Sequence, residues 1–213
     1  MGFKERDLRD IHEVFTNDEI IVKRPKKNIE VRINAGAYAN RKIYVASANM
    51  RPTLARTKSI LFDILMNLVE PGFTMLDAFA GTGAIGLEAL SRGSKKVVFV
   101  DINHKNVRSI ERNLEDMVNI EGKGVVINKS ALRPIMGSPV DVVFLDPPYE
   151  KSGLIPDVVG KIHRNGWIDD RTILIIETNK RCEIELPGYQ MIRERKISSC
   201  MLRFFIKTPV VLS

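Results

Sequence analysis

The chain has 213 residues, 44% of them hydrophobic and 28% charged, and carries a net charge of +7. This balance suits one large globular domain, or a domain with an appendage, and excludes a disordered or low-complexity chain. No stretch approaches the roughly 20 apolar residues of a membrane span, the opening MGFKERDLRD is too charged for a secretory signal, and Cys182 and Cys200 lack metal-ligand spacing, so the expectation is a reducing, cytoplasmic setting with no membrane and no metal.

The charge is unevenly placed. Residues 1–60 hold 13 Lys/Arg and 7 Asp/Glu, and between residues 21 and 60 ten basic residues accompany a single acid, Glu30. A basic front end on a neutral body is the pattern of a protein that meets a polyanion. The bland alternative is a solvated charged tail.

In chain order, residues 1–29 read as a basic, mobile segment. It has room for a helical turn around Leu8, Ile11 and Phe15, followed by the breaker-containing run Lys23-Arg24-Pro25-Lys26-Lys27. Residues 30–50 predict a β-hairpin extension. Val31 and Ile33 alternate with Arg32, Ile43 and Val45 alternate with Tyr44, and a Gly/Ala/Asn stretch lies between. Arg32, Arg41 and Lys42, with Tyr38 near the tip, offer RNA backbone and base contacts. A hairpin that simply covers a sheet edge fits these residues equally well.

The remainder, 51–213, reads as one catalytic-type domain. Thr53 is a candidate N-cap, and the helix it opens should run to about Glu70, before Pro71-Gly72. Arg51, Arg56 and Lys58 sit near that N-terminus, where the helix dipole disfavours cations. The conflict points to an anionic partner.

A strand then leads to Asp77, and DAFAGTGAIGLEALSRG follows as a glycine-rich turn and a helix ending at Gly93. Gly81, Gly83 and Gly86 form G-x-G-x-x-G, the spacing that lets a backbone turn tightly and approach a ligand closely. The next apolar strand ends in Asp101, 18 residues past Gly83, where ribose hydroxyls would be held. NAD and S-adenosylmethionine both place an adenosine on such a unit. Asp77, so near the turn, would repel a pyrophosphate but suits the cationic aminoacyl part of S-adenosylmethionine. A crossover helix over Val107–Val118 and a third strand near Val125–Ile127 follow.

Val142–Leu145 is a fourth apolar strand, ending in Asp146-Pro147-Pro148-Tyr149. Prolines stop the strand and fix the backbone, so the Pro147 carbonyl is aimed at little entropic cost. A carboxylate, a rigid carbonyl and an aromatic ring together suit a planar group bearing NH2. Asp146 and the Pro147 carbonyl could each accept one N–H, and Tyr149 could stack for about 1–3 kcal/mol. A fifth strand, Ile173–Ile176, ends in Glu177, and residues 188–207 suggest an antiparallel hairpin around Ser198-Ser199. His12, His104 and His163 lie in no catalytic pattern, and Trp167 reads as a packing residue.

Alternating strands and helices predict an α/β, doubly wound, mostly parallel seven-stranded Rossmann-like sheet with an N-terminal hairpin extension. If strand order reverses after the third strand, the first and fourth strands lie side by side. Gly81 and Asp146 then face one crevice, the switch point where such folds bind ligands.

Taken together, RINAGAYANRKI, the RPT-led helix, DAFAGTGAIGLEALSRG, Asp101 and DPPY resemble the RsmD-type family of 16S ribosomal RNA guanine-N2 methyltransferases over about residues 31–207. The resemblance implies that Asp77, Phe79, Gly81 and Gly83 surround S-adenosylmethionine, with Asp101 on its ribose and Ser130 and Ala131 near its adenine. It implies that Asp146, Pro147 and Tyr149 hold the target guanine, and that S-adenosylhomocysteine is released. The partner would be small-subunit RNA or an assembling small subunit, met by a monomer. Asn40 stands where the family commonly has Gly, and Ser59 where it usually has Glu. The rival readings are a DNA adenine-N6 methyltransferase, an NAD(P)-dependent oxidoreductase, and a non-catalytic RNA-binding module.

Overall fold

The computed structural model of the chain describes residues 15–16, 19–20, 30–45, 55–120, 123–133, 135–148 and 153–209. Arg51, Thr53, Tyr149 and most of the 1–29 segment lie outside these residues. Within that segment, β1 (Phe15–Thr16) pairs antiparallel with β2 (Glu19–Ile20), so Phe15 is in a strand rather than in the expected helical turn.

The body is a sheet of seven strands. Four of its elements are parallel strands that begin with β5 (Thr74–Asp77), β6 (Lys96–Asp101), β7 (Gly124–Asn128) and β8 (Val142–Leu145). The fifth parallel strand is β9 (Ile173–Asn179), and β10 (Tyr189–Ile197) and β11 (Cys200–Lys207) close one edge antiparallel. The order is β10-β11-β9-β8-β5-β6-β7. It reverses between β5 and β8, as the alternation of elements predicts. The central strands are apolar on both faces because both faces are covered.

One face carries α1 (Ala55–Leu65), α2 (Ala84–Ser91) and α3 (His104–Glu115), which enclose Met75, Phe99, Phe144 and Ile175. The other carries α4 (Ile155–Arg164) and Trp167 over Leu76, Val98, Val143 and Ile176. Alternate residues of each strand thus feed opposite cores. Trp167 is a packing residue, and its indole N–H donates to the Ile135 carbonyl at 2.8 Å. Asp141 pins the sheet at its base by accepting from the Thr74 N–H and hydroxyl at 2.7 and 2.8 Å.

Helix α1 stops at Leu65, short of the predicted Glu70. There the backbone tightens into turns, Asn67 N–H to Ile64 and Leu68 N–H to Leu65, while the Asn67 amide caps the Asp63 carbonyl. A side chain that competes for a free carbonyl ends a helix this way before any proline is reached.

The hairpin forms from β3 (Val31–Arg32) and β4 (Lys42–Ile43). It covers helices, not a sheet edge. Glu88 of α2, fully buried, accepts the N–H groups of Asn34 and Ala35 at 2.7 and 3.0 Å. The Tyr44 backbone pairs in both directions with the Asn113 side chain of α3, at 2.8 and 2.9 Å. Gly36, at φ +88°, lies so close to the Ser91 carbonyl that a Cβ would collide with it. Asn40 takes the left-handed conformation at φ 67°, which asparagine tolerates better than most residues. Ser59 accepts from the Asn34 amide at 3.1 Å.

Lys58 corrects an expectation. It was a candidate for RNA contact, yet it is 1% exposed. Its ammonium donates to Glu88 at 3.1 Å and to the Arg32 carbonyl. Arg92 completes the cluster by donating to Glu88 at 2.9 Å. The cation that conflicts with the helix dipole is therefore answered by an internal carboxylate, and it fastens the hairpin to α1 and α2.

Candidate active site

Each of the four strands β5, β6, β8 and β9 carries an acid at or near its C-terminal end: Asp77, Asp101, Asp146 and Glu177. Register places them side by side. Asp77 pairs with Phe144 of β8 and Phe99 of β6, and Leu145 pairs with Ile176, so Asp146 and Glu177 are the next neighbours on their strands. The side chains alternate along each strand, which sets all four acids on the α1–α2–α3 face at the top of the sheet.

The glycine turn sits above β5. Gly81 and Gly83 adopt φ +53° and +73°, a region that a side chain would strain. The Gly81 N–H donates to Asp101 at 2.8 Å, and the other Asp101 oxygen accepts from the Asn103 N–H at 2.7 Å. Asp101 thus fixes the turn, and its remaining lone pairs stay available to a ligand hydroxyl.

Asp77 is 1% exposed. One oxygen accepts the Gly86 N–H at 3.2 Å, while Oδ1 is buried with no partner among the described residues. Burial pushes its pKa up to about 7, against the Gly86 bond and with help from Asp101. Asp146 is held well above the usual carboxylate range by burial, then by Glu177 and Asp77. Burial likewise raises Glu177, whose Oε2 has no partner among the described residues and which accepts from the Cys200 thiol. Burial and Glu177 push that thiol up to about 12, so Cys200 is no nucleophile.

A crevice of clustered, raised carboxylates is a site for a cation, because a nearby positive charge favours their ionised forms. It repels phosphate. The donor set therefore fits the ammonium and sulfonium of S-adenosylmethionine and not a dinucleotide. On the α4 side of the sheet, opposite the acids, an apolar pocket is lined by Leu76, Ala78, Val100, Ile127, Ala131 and Trp167, among others. Ala131 lies on it, while Ser130 faces its own backbone, accepting from the Leu132 N–H at 3.2 Å. Phe79, half-buried, packs against the same cluster.

Pro147 is buried directly after Asp146 and Pro148 is exposed. Arg32 and Lys42 are exposed and both pair with Glu30. Arg41 is exposed and stacks 5.8 Å over the half-buried Tyr38 ring. Arg56 is exposed on α1.

Glu177 was not among the candidate site residues. Its signal was nonetheless present, for it ends an apolar strand just as Asp77, Asp101 and Asp146 do.

The family described as Conserved hypothetical protein 95 matches residues 31–206. The chain belongs to that family. It is the RsmD type, whose curated members include the Ribosomal RNA small subunit methyltransferase D of Haemophilus influenzae, 32% identical over 190 residues, 86% of this chain and 97% of that protein. The protein of the same name from Escherichia coli K12 is 32% identical over 152 residues, 70% of this chain and 75% of its own length. The solved structure of yhhF from Escherichia coli superposes with a TM-score of 0.74 at 28% identity, covering 84% of this chain and 98% of that one. The family, the fold and the seven-stranded sheet agree with a methyltransferase.

Proposed function

We propose that this protein transfers a methyl group from S-adenosylmethionine to the exocyclic N2 amine of a guanine in small-subunit ribosomal RNA, leaving S-adenosylhomocysteine. The observation that carries the reading is the junction of β5 and β8. A carboxylate with one oxygen unpartnered among the described residues and a glycine turn of positive φ end one strand, and Asp146-Pro147 ends its neighbour. The relatives' names supply the RNA class.

When bound, S-adenosylmethionine supplies an electrophilic methyl on a sulfonium. Asp77 would face its ammonium end, Asp101 its ribose hydroxyls and Ala131 its adenine side, with Phe79, Gly81, Gly83 and Ser130 around it. Asp146 and the Pro147 carbonyl would accept the two hydrogens of the guanine amine. That amine is a poor nucleophile because its lone pair is spread into the ring. Holding both hydrogens turns the lone pair toward the methyl and stabilises the positive charge that grows on nitrogen. Orientation then supplies much of the remaining acceleration. Asp146 takes the displaced proton, since the bound sulfonium cation favours the ionised form of its carboxylate beforehand. Tyr149 stacks on the base, which must be unpaired or flipped to enter. Arg32, Tyr38, Arg41, Lys42, Arg51 and Arg56 contact the RNA around it.

The test is to incubate the protein and labelled S-adenosylmethionine with small subunits lacking the modification, then digest to nucleosides. Label in N2-methylguanosine is expected. Label in N6-methyladenosine would replace guanine by adenine, and donor binding without label would overturn the catalytic reading.

A further inference from the structure

The acceptor half of the crevice has one more polar group than the amine requires. Glu177 is 8% exposed, its Oε2 has no partner among the described residues, and by register it follows beside Asp146. Neighbouring strands lie about 4.8 Å apart, so the two carboxylates flank one small target. The Cys200 thiol occupies the glutamate from the β11 side. A buried carboxylate oxygen left unpaired costs about 1–3 kcal/mol or more, which a ligand N–H would recover.

The guanine edge that carries N2 also carries the N1–H. It presents three hydrogens in a row, two on N2 and one on N1. Asp146, the Pro147 carbonyl and Glu177 Oε2 would supply one acceptor for each, with Asp146 and Glu177 on adjacent strands. Adenine next to its amine presents instead the N1 lone pair, which faces an acceptor unfavourably.

Resting on the proposed guanine-N2 reaction, we propose that Glu177 determines base specificity: its free oxygen accepts the N1–H of the target guanine while Asp146 and Pro147 hold N2. An adenine turned into the same pocket sets its N1 lone pair against this carboxylate and is rejected. Glu177 therefore reads the base, and Asp146 serves the chemistry. The elevated pKa that burial gives Glu177 is relieved on binding, when the N1–H hydrogen bond favours the ionised form.

The experiment uses small-subunit RNA carrying either guanine or 2-aminopurine at the mapped target. 2-Aminopurine keeps the C2 amine but has a lone pair at N1. Wild-type protein should favour guanine by about 10²-fold or more in kcat/KM, as a site built around a substrate N–H rejects an analogue without it. Glu177→Gln keeps the shape, and its amide can either accept from N1–H or donate to the N1 lone pair. The preference should then fall by about tenfold or more. 2-Aminopurine also lacks O6, but that loss is common to both proteins and cancels in the comparison. A single cooperative melting transition should show that the variant folds, and calorimetric affinity for S-adenosylmethionine should stay near wild type because Asp77 and Asp101, not Glu177, are proposed to face the donor. An unchanged preference in Glu177→Gln, with both rates lowered together, would reduce Glu177 to a structural role. If the variant does not fold, equal wild-type rates on the two bases overturn the proposal by themselves. Absence of N2 methylation on guanine with wild-type protein would instead remove the reaction on which the proposal rests.

Discussion

Asp77→Asn should stabilise the ligand-free protein at alkaline pH while weakening its grip on the donor. Asp77 has one weak backbone bond and an oxygen with no partner among the described residues. Its pKa of about 7 in the fold, raised first by burial, compares with 3.8 unfolded. The native state therefore binds the proton more tightly. Stability falls as pH rises from about 4 to about 7 and is flat above, and the roughly three-unit gap corresponds to about 4 kcal/mol lost at pH 8. Asparagine removes that dependence but buries an NH2 where Oδ1 sat, at about 1–3 kcal/mol. The net expectation is a ligand-free variant more stable than wild type by about 1–3 kcal/mol at pH 8, with the advantage shrinking or reversing by pH 5. Urea unfolding at the two pH values measures this, and calorimetry with S-adenosylmethionine should show weakened binding. A variant less stable than wild type at pH 8, or a gap that does not change with pH, would refute the reasoning.

Asp146→Ala should lower kcat by roughly 10²–10³, the usual loss for one preorganised polar contact, with donor affinity little changed; single-turnover methyl transfer reads it. Asp101→Ala should weaken donor binding by about 1.5–3 kcal/mol by calorimetry, since it removes a charged acceptor and frees the Gly81 turn it holds. Glu88→Ala should cost about 3–5 kcal/mol in urea unfolding, because it strands the buried Lys58 ammonium and two hairpin N–H groups. Gly36→Ala should undock the hairpin from Ser91 and reduce RNA affinity while leaving donor affinity intact; a filter-binding assay against wild type decides it.

Much of the fold was legible because parallel strands buried on both faces read as short apolar runs, and each such run was bounded by an acid or a breaker. The same punctuation predicted that the β5 and β8 ends lie side by side, as their pairing shows. Lys58 was misread because its partner, Glu88, comes 30 residues later on a different helix, so local pattern showed only a cation at an unfavourable helix end. The end of α1 was misplaced because the Asn67 cap is a side-chain event that precedes the more obvious Pro71-Gly72. Gly36 reads in sequence only as part of the Gly/Ala/Asn stretch between the strands, although its smallness serves a contact with Ser91 that only the docked hairpin creates. Glu177 reads in sequence as a strand terminus, but its proposed role rests on lying beside Asp146 with an oxygen unpartnered among the described residues, which is a matter of register and burial.

The most direct test of the account is a structure of the protein with S-adenosylhomocysteine and an RNA fragment carrying the target base. It should place the guanine N2 within about 3 Å of both the Asp146 carboxylate and the Pro147 carbonyl, with the sulfur facing N2 from the Gly81 side. A base bound away from the β8 end, or a donor lying outside the β5–β6 turn, would contradict it.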